Sequence, residues 1–459
     1  MERIEPGTRV ARPESIRLPT GYRIEPVAVG LNYPTSITWE PDGSLLIAES
    51  SVPFGRVART ETRISRLEGE GRLQPVASGF QGLINDIAYH DGRLYISQQG
   101  KISVLEKGQV RDLISGLPSW GLHENNALAF GPDGRLYFGQ GTVSNAGVID
   151  SFALERLRRA GRLQDHDIPG ADVVLTGQNY ETVDLQTRER QRTGAFSPWG
   201  KESTPGQRVP GARPGQAANG SVMSANADGS DLRVFAWGLR NPYGIAFAPD
   251  GRLYVANNGA NRIPPRRISS DPDTLWLVEE GVWYGWPDFF AGYPATDPAF
   301  KPPDAPRNEP LIANHEELLG GRSEPPKPVV PLGLHVCPCK FDFVRDPGFG
   351  FVGQAVVPEY GSILAPEEGL QKEAPAGHKV VRIDPARRTV DDLVVNHSGL
   401  PASATGNDGG LERPIQARVG PDGALYIVDW GLLVWQEGWE AIAGTGIVWK
   451  VTRSGGHWQ

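Results

Sequence analysis

A histidine and two arginines stand at matching places before three Asp-Gly turns. His123 and Arg240 each lie eleven residues ahead of a turn glycine, Gly134 and Gly251, and Arg413 lies ten ahead of Gly423. The same count of eleven from Gly43 and Gly92 reaches Asn32 and Gln81. Imidazole titrates near neutral pH and can take or give a proton. A guanidinium is a permanent cation whose planar fork suits carboxylate or phosphate. One titratable base and two fixed cations, if the fold gathers them, make a binding or catalytic site.

The elements that must gather them are hairpins. The chain repeats an apolar strand, a Pro-Asp-Gly type turn and a second apolar strand: SITWEPDGSLLIAES (Ser36–Ser50), DIAYHDGRLYISQQ (Asp86–Gln99), ALAFGPDGRLYFGQG (Ala127–Gly141), GIAFAPDGRLYVANN (Gly244–Asn258) and IQARVGPDGALYIVDW (Ile415–Trp430). Asp-Gly between β-rich runs signals a hairpin, because glycine supplies the positive φ of a tight turn. A lone hairpin leaves an apolar face wet, so the copies are expected to pack on one another. Steps of 49 and 42 residues separate Gly43, Gly92 and Gly134, the span of a four-stranded propeller blade.

The longer gap after Gly134 predicts an insertion between blades three and four, about 143–216, in which SFALERLRRAGRLQ reads as an amphipathic helix and GQRVPGARPGQ as loop. KFDFV (Lys340–Val344) with FVGQAVVPEYG (Phe351–Gly361) reads as a degenerate fifth copy, and YRIEPVAVG (Tyr22–Gly30) with GIVWKVT (Gly446–Thr452) as strands that close the ring in one shared blade. The expectation is an all-β fold, a single six-bladed β-propeller domain over residues 1–459. A β-sandwich is the weaker reading, since it leaves the regular spacing of hairpins unexplained. In a propeller the residues before each first strand and after each second strand ring one mouth of the channel. The second strands add Glu49, Gln98, Gln140, Asn257, Asn258 and Asp429 to that rim.

A formal net charge of −8 argues against nucleic acid or an anionic membrane as partner. No run of about 18 apolar residues suggests a membrane span. The start, MERIEPGTRVARPESIRLP, has no apolar signal-peptide core. Cys337 and Cys339 are the only cysteines, with Pro338 between them, a spacing that disfavours a disulfide.

The hairpin copies sit inside stretches that resemble the PQQ-dependent glucose/sorbosone dehydrogenase family of soluble quinoproteins. The most specific are AWGLRNPYGIAFAPDGRLYVANNGAN (Ala236–Asn261) with DTLWLVEEGVWYGWPDF (Asp273–Phe289), then LHENNALAFGPDGRLYFGQG (Leu122–Gly141) and ERPIQARVGPDGALYIVD (Glu412–Asp429). The resemblance implies oxidation of a sugar or related alcohol or aldehyde by hydride transfer to pyrroloquinoline quinone (PQQ), with Ca²⁺ as second cofactor and a small-molecule sugar as partner. By that likeness His123 is the base and Arg240 stabilises charge on the quinone. Asn241, Asn258, His335 and Arg413 hold the cofactor, and the carbonyls of Gly259 and Ala260 hold the metal. It also implies a periplasmic or secreted protein. The chain departs from the pattern at VVPEYGS, where Tyr360 and Gly361 stand in place of a cofactor-binding lysine, and at LHVCPCK, which brings His335, Cys337 and Cys339. Arg266, Arg267 or Lys340 are the candidates to supply the lost cation.

Two rival readings stay open on the residues alone. A lactonase-type, metal-dependent hydrolase would use Glu49, Glu124 and Asp429 around an axial ion, and a non-catalytic propeller would only bind a ligand. His-x-Cys-x-Cys as a soft-metal site is weak against ordinary loop thiols. Asp165–Asp167 reads as a solvated loop. GFGFVG (Gly348–Gly353) lacks the following helix that dinucleotide binding needs.

Overall fold

The turns set the architecture. In the computed structural model, which describes residues 9–52, 56–57, 60–362, 376–406, 409–435 and 438–454, Gly134 and Gly251 have φ of 74° and 80°. Each closes its turn by donating its amide to the carbonyl three residues back, Gly131 and Ala248. The aspartate before each glycine accepts from the amide two residues on, Asp133 from Arg135 and Asp250 from Arg252. His90-Asp91-Gly92-Arg93 is tighter: Asp91 and Gly92 both have positive φ, and His90 pairs with Arg93, as a two-residue hairpin requires.

Six antiparallel sheets follow. Blade one is Pro34–Trp39, Leu45–Glu49, Arg63–Leu67 and Leu73–Ser78. Blade two is Ile84–His90, Arg93–Gln98, Lys101–Glu106 and Gln109–Ser115. Blade three is Asn125–Phe130, Leu136–Gln140, Ser221–Ala225 and Arg233–Trp237. Blade four is Asn241–Phe247, Leu253–Asn258, Asp273–Val278 and Val330–Gly333. Blade five is Asp342–Phe343, Ala355–Glu359, Lys379–Asp384 and Thr389–Asn396, with Ile16–Arg17 added at its edge. Blade six is Pro414–Val419, Leu425–Asp429 and Gly446–Arg453, finished by the N-terminal Tyr22–Leu31. The six-bladed propeller and its shared closing blade are as expected, the N-terminal strand completing the last blade and so closing the ring. Buried faces such as Ile37, Ile47, Val428 and Val448 form the seams between blades. No described helix is long and apolar enough to cross a membrane.

The insertion enters earlier than its expected place between blades three and four. Ser221–Ala225 pairs with Leu136–Gln140, so residues 143–216 interrupt blade three between its second and third strands. Its helix is Ser151–Arg159, capped by Asp150, with Ala153, Leu154 and Leu157 buried. A second long excursion, 279–329, leaves blade four between its third and fourth strands. The two excursions pack together through Val173, Leu175, Trp286, Phe289, Leu311 and Ile312. Asp167 corrects another expectation. It is a buried acceptor, not part of a solvated loop, and takes the amides of Val143 and Ser144.

Candidate functional site

His123, Arg240, Asn241 and Arg413 stand just before or at the starts of the inner strands of blades three, four and six, at one end of the channel. A chain of short contacts joins them. His123 and Thr142 lie side by side, and the Thr142 amide donates to the Arg240 carbonyl at 3.1 Å. A Cβ on Gly141 would stand 2.3 Å from the His123 Cβ and 2.8 Å from Asn241 Oδ1, so only glycine lets these two side chains share the space. Asn126 Nδ2 donates to Asn241 Oδ1, Asn241 Nδ2 to Asn258 Oδ1, and Asn258 Nδ2 to the Pro338 carbonyl, at 2.9, 3.0 and 3.0 Å. That relay carries the rim from blade three to the blade-five loop. Arg413 reaches the adjoining segment, after the second strand of blade five, by donating to the carbonyls of Tyr360, Gly361 and Ser362.

The half-buried His123 has its tautomer fixed by its partner. Nδ1 lies 2.9 Å from the Thr142 carbonyl oxygen. A carbonyl can only accept, so the proton sits on Nδ1 and Nε2 keeps a free lone pair. Burial, then the Arg240 charge, then Arg156 hold the imidazole pKa well below 6.5, so the ring is neutral and basic at Nε2 near pH 7. Its neighbour Glu124 is pushed up to about 7 by burial, against the pull of Arg156 at 3.6 Å.

Arg240 and Arg413 are both buried, and among the described residues neither has a carboxylate within 4.0 Å. Arg240 donates from Nε and Nη2 to the carbonyl and Oδ1 of Asn145. Arg413 lies over the Tyr360 and Trp439 rings, 5.0 and 5.5 Å from their centroids, and its buried Nε has no acceptor. The nearest acids to Arg240 are committed elsewhere: Asp271 accepts the Ala260 amide at 2.6 Å, and Asp273 the amides of Gly259 and Cys337 at 2.7 and 2.8 Å. Burial pushes these two carboxyls up to about 7 and about 6. With their amides so held, the carbonyl oxygens of Gly259 and Ala260 accept no hydrogen bond from described residues.

The remaining predicted residues divide. His335, half-buried and in the left-handed region at φ 57°, lies near enough to Arg240 for that charge, after burial, to lower its pKa. Tyr360, where the lysine was expected, supplies a ring under Arg413 and no cation. Arg266 is bound to Asp288 at 3.2 Å and Arg267 to Asp304 at 2.5 Å, so neither replaces it. Lys340 points into the channel, where Nζ donates to the Asn85 carbonyl at 2.6 Å. Among the described residues, His335, Cys337 and Cys339 form no group arranged for a metal. The three carboxylates of the hydrolase reading are turned to arginines: Glu49 to Arg63, Glu124 to Arg156 and Asp429 to Arg9.

Asn145 was not foreseen. It carries Arg240, exchanges bonds with Asn261 at 2.9 and 2.8 Å and receives the Trp286 indole. Its sequence, TVSNAG, has no distinguishing pattern. Only the return of the insertion to the rim places it there.

The donor set suits an acidic quinone with a bound divalent cation: two buried guanidiniums without counter-ions, a neutral base between blades, and a pair of free carbonyls. A family model described as glucose / sorbosone dehydrogenase matches residues 207–308, the stretch that holds Arg240, Asn241, Asn258, Gly259 and Ala260. Quinoprotein glucose dehydrogenase B of Acinetobacter calcoaceticus is 24% identical over 293 residues, which span 57% of this chain and 52%, about half, of that relative. The holo PQQ domain of pyranose dehydrogenase from Coprinopsis cinerea aligns at 16% identity over 98% of this chain and 100% of its own, with a TM-score of 0.57. The PQQ-bound aldose sugar dehydrogenase of Streptomyces coelicolor aligns at 15% identity over 95% and 99%, with a TM-score of 0.51. These two likenesses bear on the fold. The resemblance to the glucose/sorbosone dehydrogenase family, read first from the Leu-Arg-Asn-Pro and Tyr-Gly-Trp-Pro runs, is thus found again by family model and relative.

Proposed function

We propose that this protein oxidises a sugar, an aldose or a related polyol or sugar aldehyde, with PQQ and Ca²⁺ bound at the mouth formed by His123, Arg240 and Arg413. The observation that carries this reading is the pair of buried guanidiniums lacking carboxylate partners beside an imidazole with Nε2 free. Buried charges are ordinarily paired, so a ligand with several carboxylates fits the deficit. When bound, PQQ supplies the acceptor for a hydride from the substrate carbon. His123 takes the hydroxyl proton at Nε2 as that carbon is oxidised, while Nδ1–H stays on the Thr142 carbonyl. Arg240, steadied by Asn145, offers its remaining donors to negative charge at the quinone. Arg413 holds a carboxylate, Asn241, Asn258 and His335 line the cup, and the Gly259 and Ala260 carbonyls provide Ca²⁺ oxygens. By the same likeness the protein works in the periplasm or outside the cell.

Titrating the purified protein with PQQ and Ca²⁺, followed by absorbance, is expected to saturate and to confer sugar-dependent reduction of a redox dye. His123→Ala is expected to keep the titration and lose turnover by about 10²- to 10⁴-fold. No saturable absorbance change would remove the proposal.

A further inference from the structure

The other end of the channel carries a second, separate feature. A cavity of about 220 Å³ opens between the later halves of the inner strands, lined by Asp86, Phe130, Phe247, Lys340, Gln416 and Arg418 among others. A water's share of liquid volume is roughly 30 Å³, so the space holds a molecule of several heavy atoms. Gln416 and Asp86 close it toward the middle of the channel. Asp86 accepts from Ser36 Oγ, Gln416 Nε2 and the Leu128 amide at 2.6, 3.2 and 2.8 Å.

The charges around this space pair only in part. Lys340 is 3% exposed, its ammonium bonds only the neutral Asn85 carbonyl, and among the described residues no carboxylate oxygen lies within 4.0 Å of it. Arg418 donates from Nη1 to the carbonyls of Ile37 and Ile87 at 2.9 and 3.3 Å. Its Nε and Nη2 bond no described residue and are not sealed from solvent. The two cations are close enough to oppose one another: burial, with Arg418 adding to it and Asp86 resisting, pulls the Lys340 pKa down. Arg345 at the rim is already held by Asp342 at 2.8 Å. A buried ammonium with no carboxylate within 4.0 Å, on a side chain that lines the cavity with a half-free guanidinium, leaves positive charge that the more distant Asp86 only partly offsets and that an anion there would complete.

The geometry points to a binding site for a small oxyanion, a phosphate or a short carboxylate, in the hairpin-end cavity between Lys340 and Arg418, independent of the cup that holds His123. The test is isothermal titration calorimetry of the full chain with inorganic phosphate and, separately, with acetate. Saturable binding of either probe, weakened about 10-fold or more by Arg418→Gln and by Lys340→Met, supports the site, and the stronger probe tells phosphate from carboxylate. Arg418→Gln is expected to leave the PQQ titration unchanged, so the outcome does not depend on the cofactor reading. Binding of neither probe, or binding that both variants leave intact and Arg413→Met abolishes, would overturn it.

Discussion

Two regions of this molecule bury arginine in opposite ways. On the flank, where the excursions of blades three and four pack together, Arg266 faces Asp288 with both side chains almost fully enclosed, and His315 Nε2 lies 2.9 Å from the same carboxylate. At the mouth, Arg240 and Arg413 are as deeply set, yet the neighbouring Asp271 and Asp273 serve backbone amides. The flank pairs its own charges, tying the loop that carries Arg266 to the blade-four excursion, with one Arg266 bond to the Ala146 carbonyl of the blade-three insertion. The mouth leaves its guanidiniums to be completed from outside. A site that binds an anion therefore forgoes stability that a merely structural region takes up.

This contrast breaks most visibly at Arg266. Arg266→Met takes the guanidinium from a buried carboxylate, leaving Asp288 the Leu311 and Ile312 amides and His315, and strands three carbonyl acceptors, those of Ala146, Pro287 and Glu309. Removing one partner of a buried pair costs about 3–5 kcal/mol, so chemical denaturation is expected to show a loss of that size, while the protein that stays folded titrates PQQ normally. Arg413→Met is the sharper comparison. No carboxylate is orphaned, so stability is expected to stay within about 1 kcal/mol of the parent. Affinity for PQQ falls by about 1.5–3 kcal/mol, the worth of a charge-assisted hydrogen bond. Equal stability losses in the two variants would show that the mouth is built like the flank and would remove its case as a ligand site.

The hairpins were legible because turn chemistry is local: Asp-Gly and the flanking alternation fix the first two strands of a blade, and a spacing of ten or eleven residues from the turn brings His123, Arg240 and Arg413 to one end. The outer strands carry no such mark. Ser221–Ala225 completes blade three only after the whole insertion, and nothing in the turn before Leu136 announces that delay. Asp167 reads as polar loop beside Asp165 and His166, and its burial depends on the amides of Val143 and Ser144 folding over it. That blade five lacks the lysine of the pattern is legible in Tyr360 and Gly361, but what takes up its place is spatial. Tyr360 backs Arg413, and Lys340, twenty residues earlier in the chain, looks into the channel instead.

Arg156 offers a third kind of arginine and the smallest of the expected effects. It lies on the insertion helix, partly exposed, donates to the carbonyls of Gly121 and Leu122, and stands 3.6 Å from Glu124. It touches no proposed ligand and acts on His123 only through its field, in the same direction as Arg240 and burial. The base works unprotonated, so turnover is lost as pH falls through the imidazole pKa. With that pKa held well below 6.5, activity is expected to persist on the acid side of 6.5. Arg156→Gln withdraws one cation, the pKa rises, and the acid limb of the pH–rate profile moves to higher pH. Glu124 does not mask this: without Arg156 its own pKa, about 7 by burial, moves further up, and the neutral acid adds no field. Arg240→Met is expected to move the limb the same way and further, since the Arg240 charge acts on the imidazole more strongly than that of Arg156. A limb that stays put in Arg156→Gln and moves in Arg240→Met would confine the control of His123 to the mouth. A limb that moves down would mean that the base is another group.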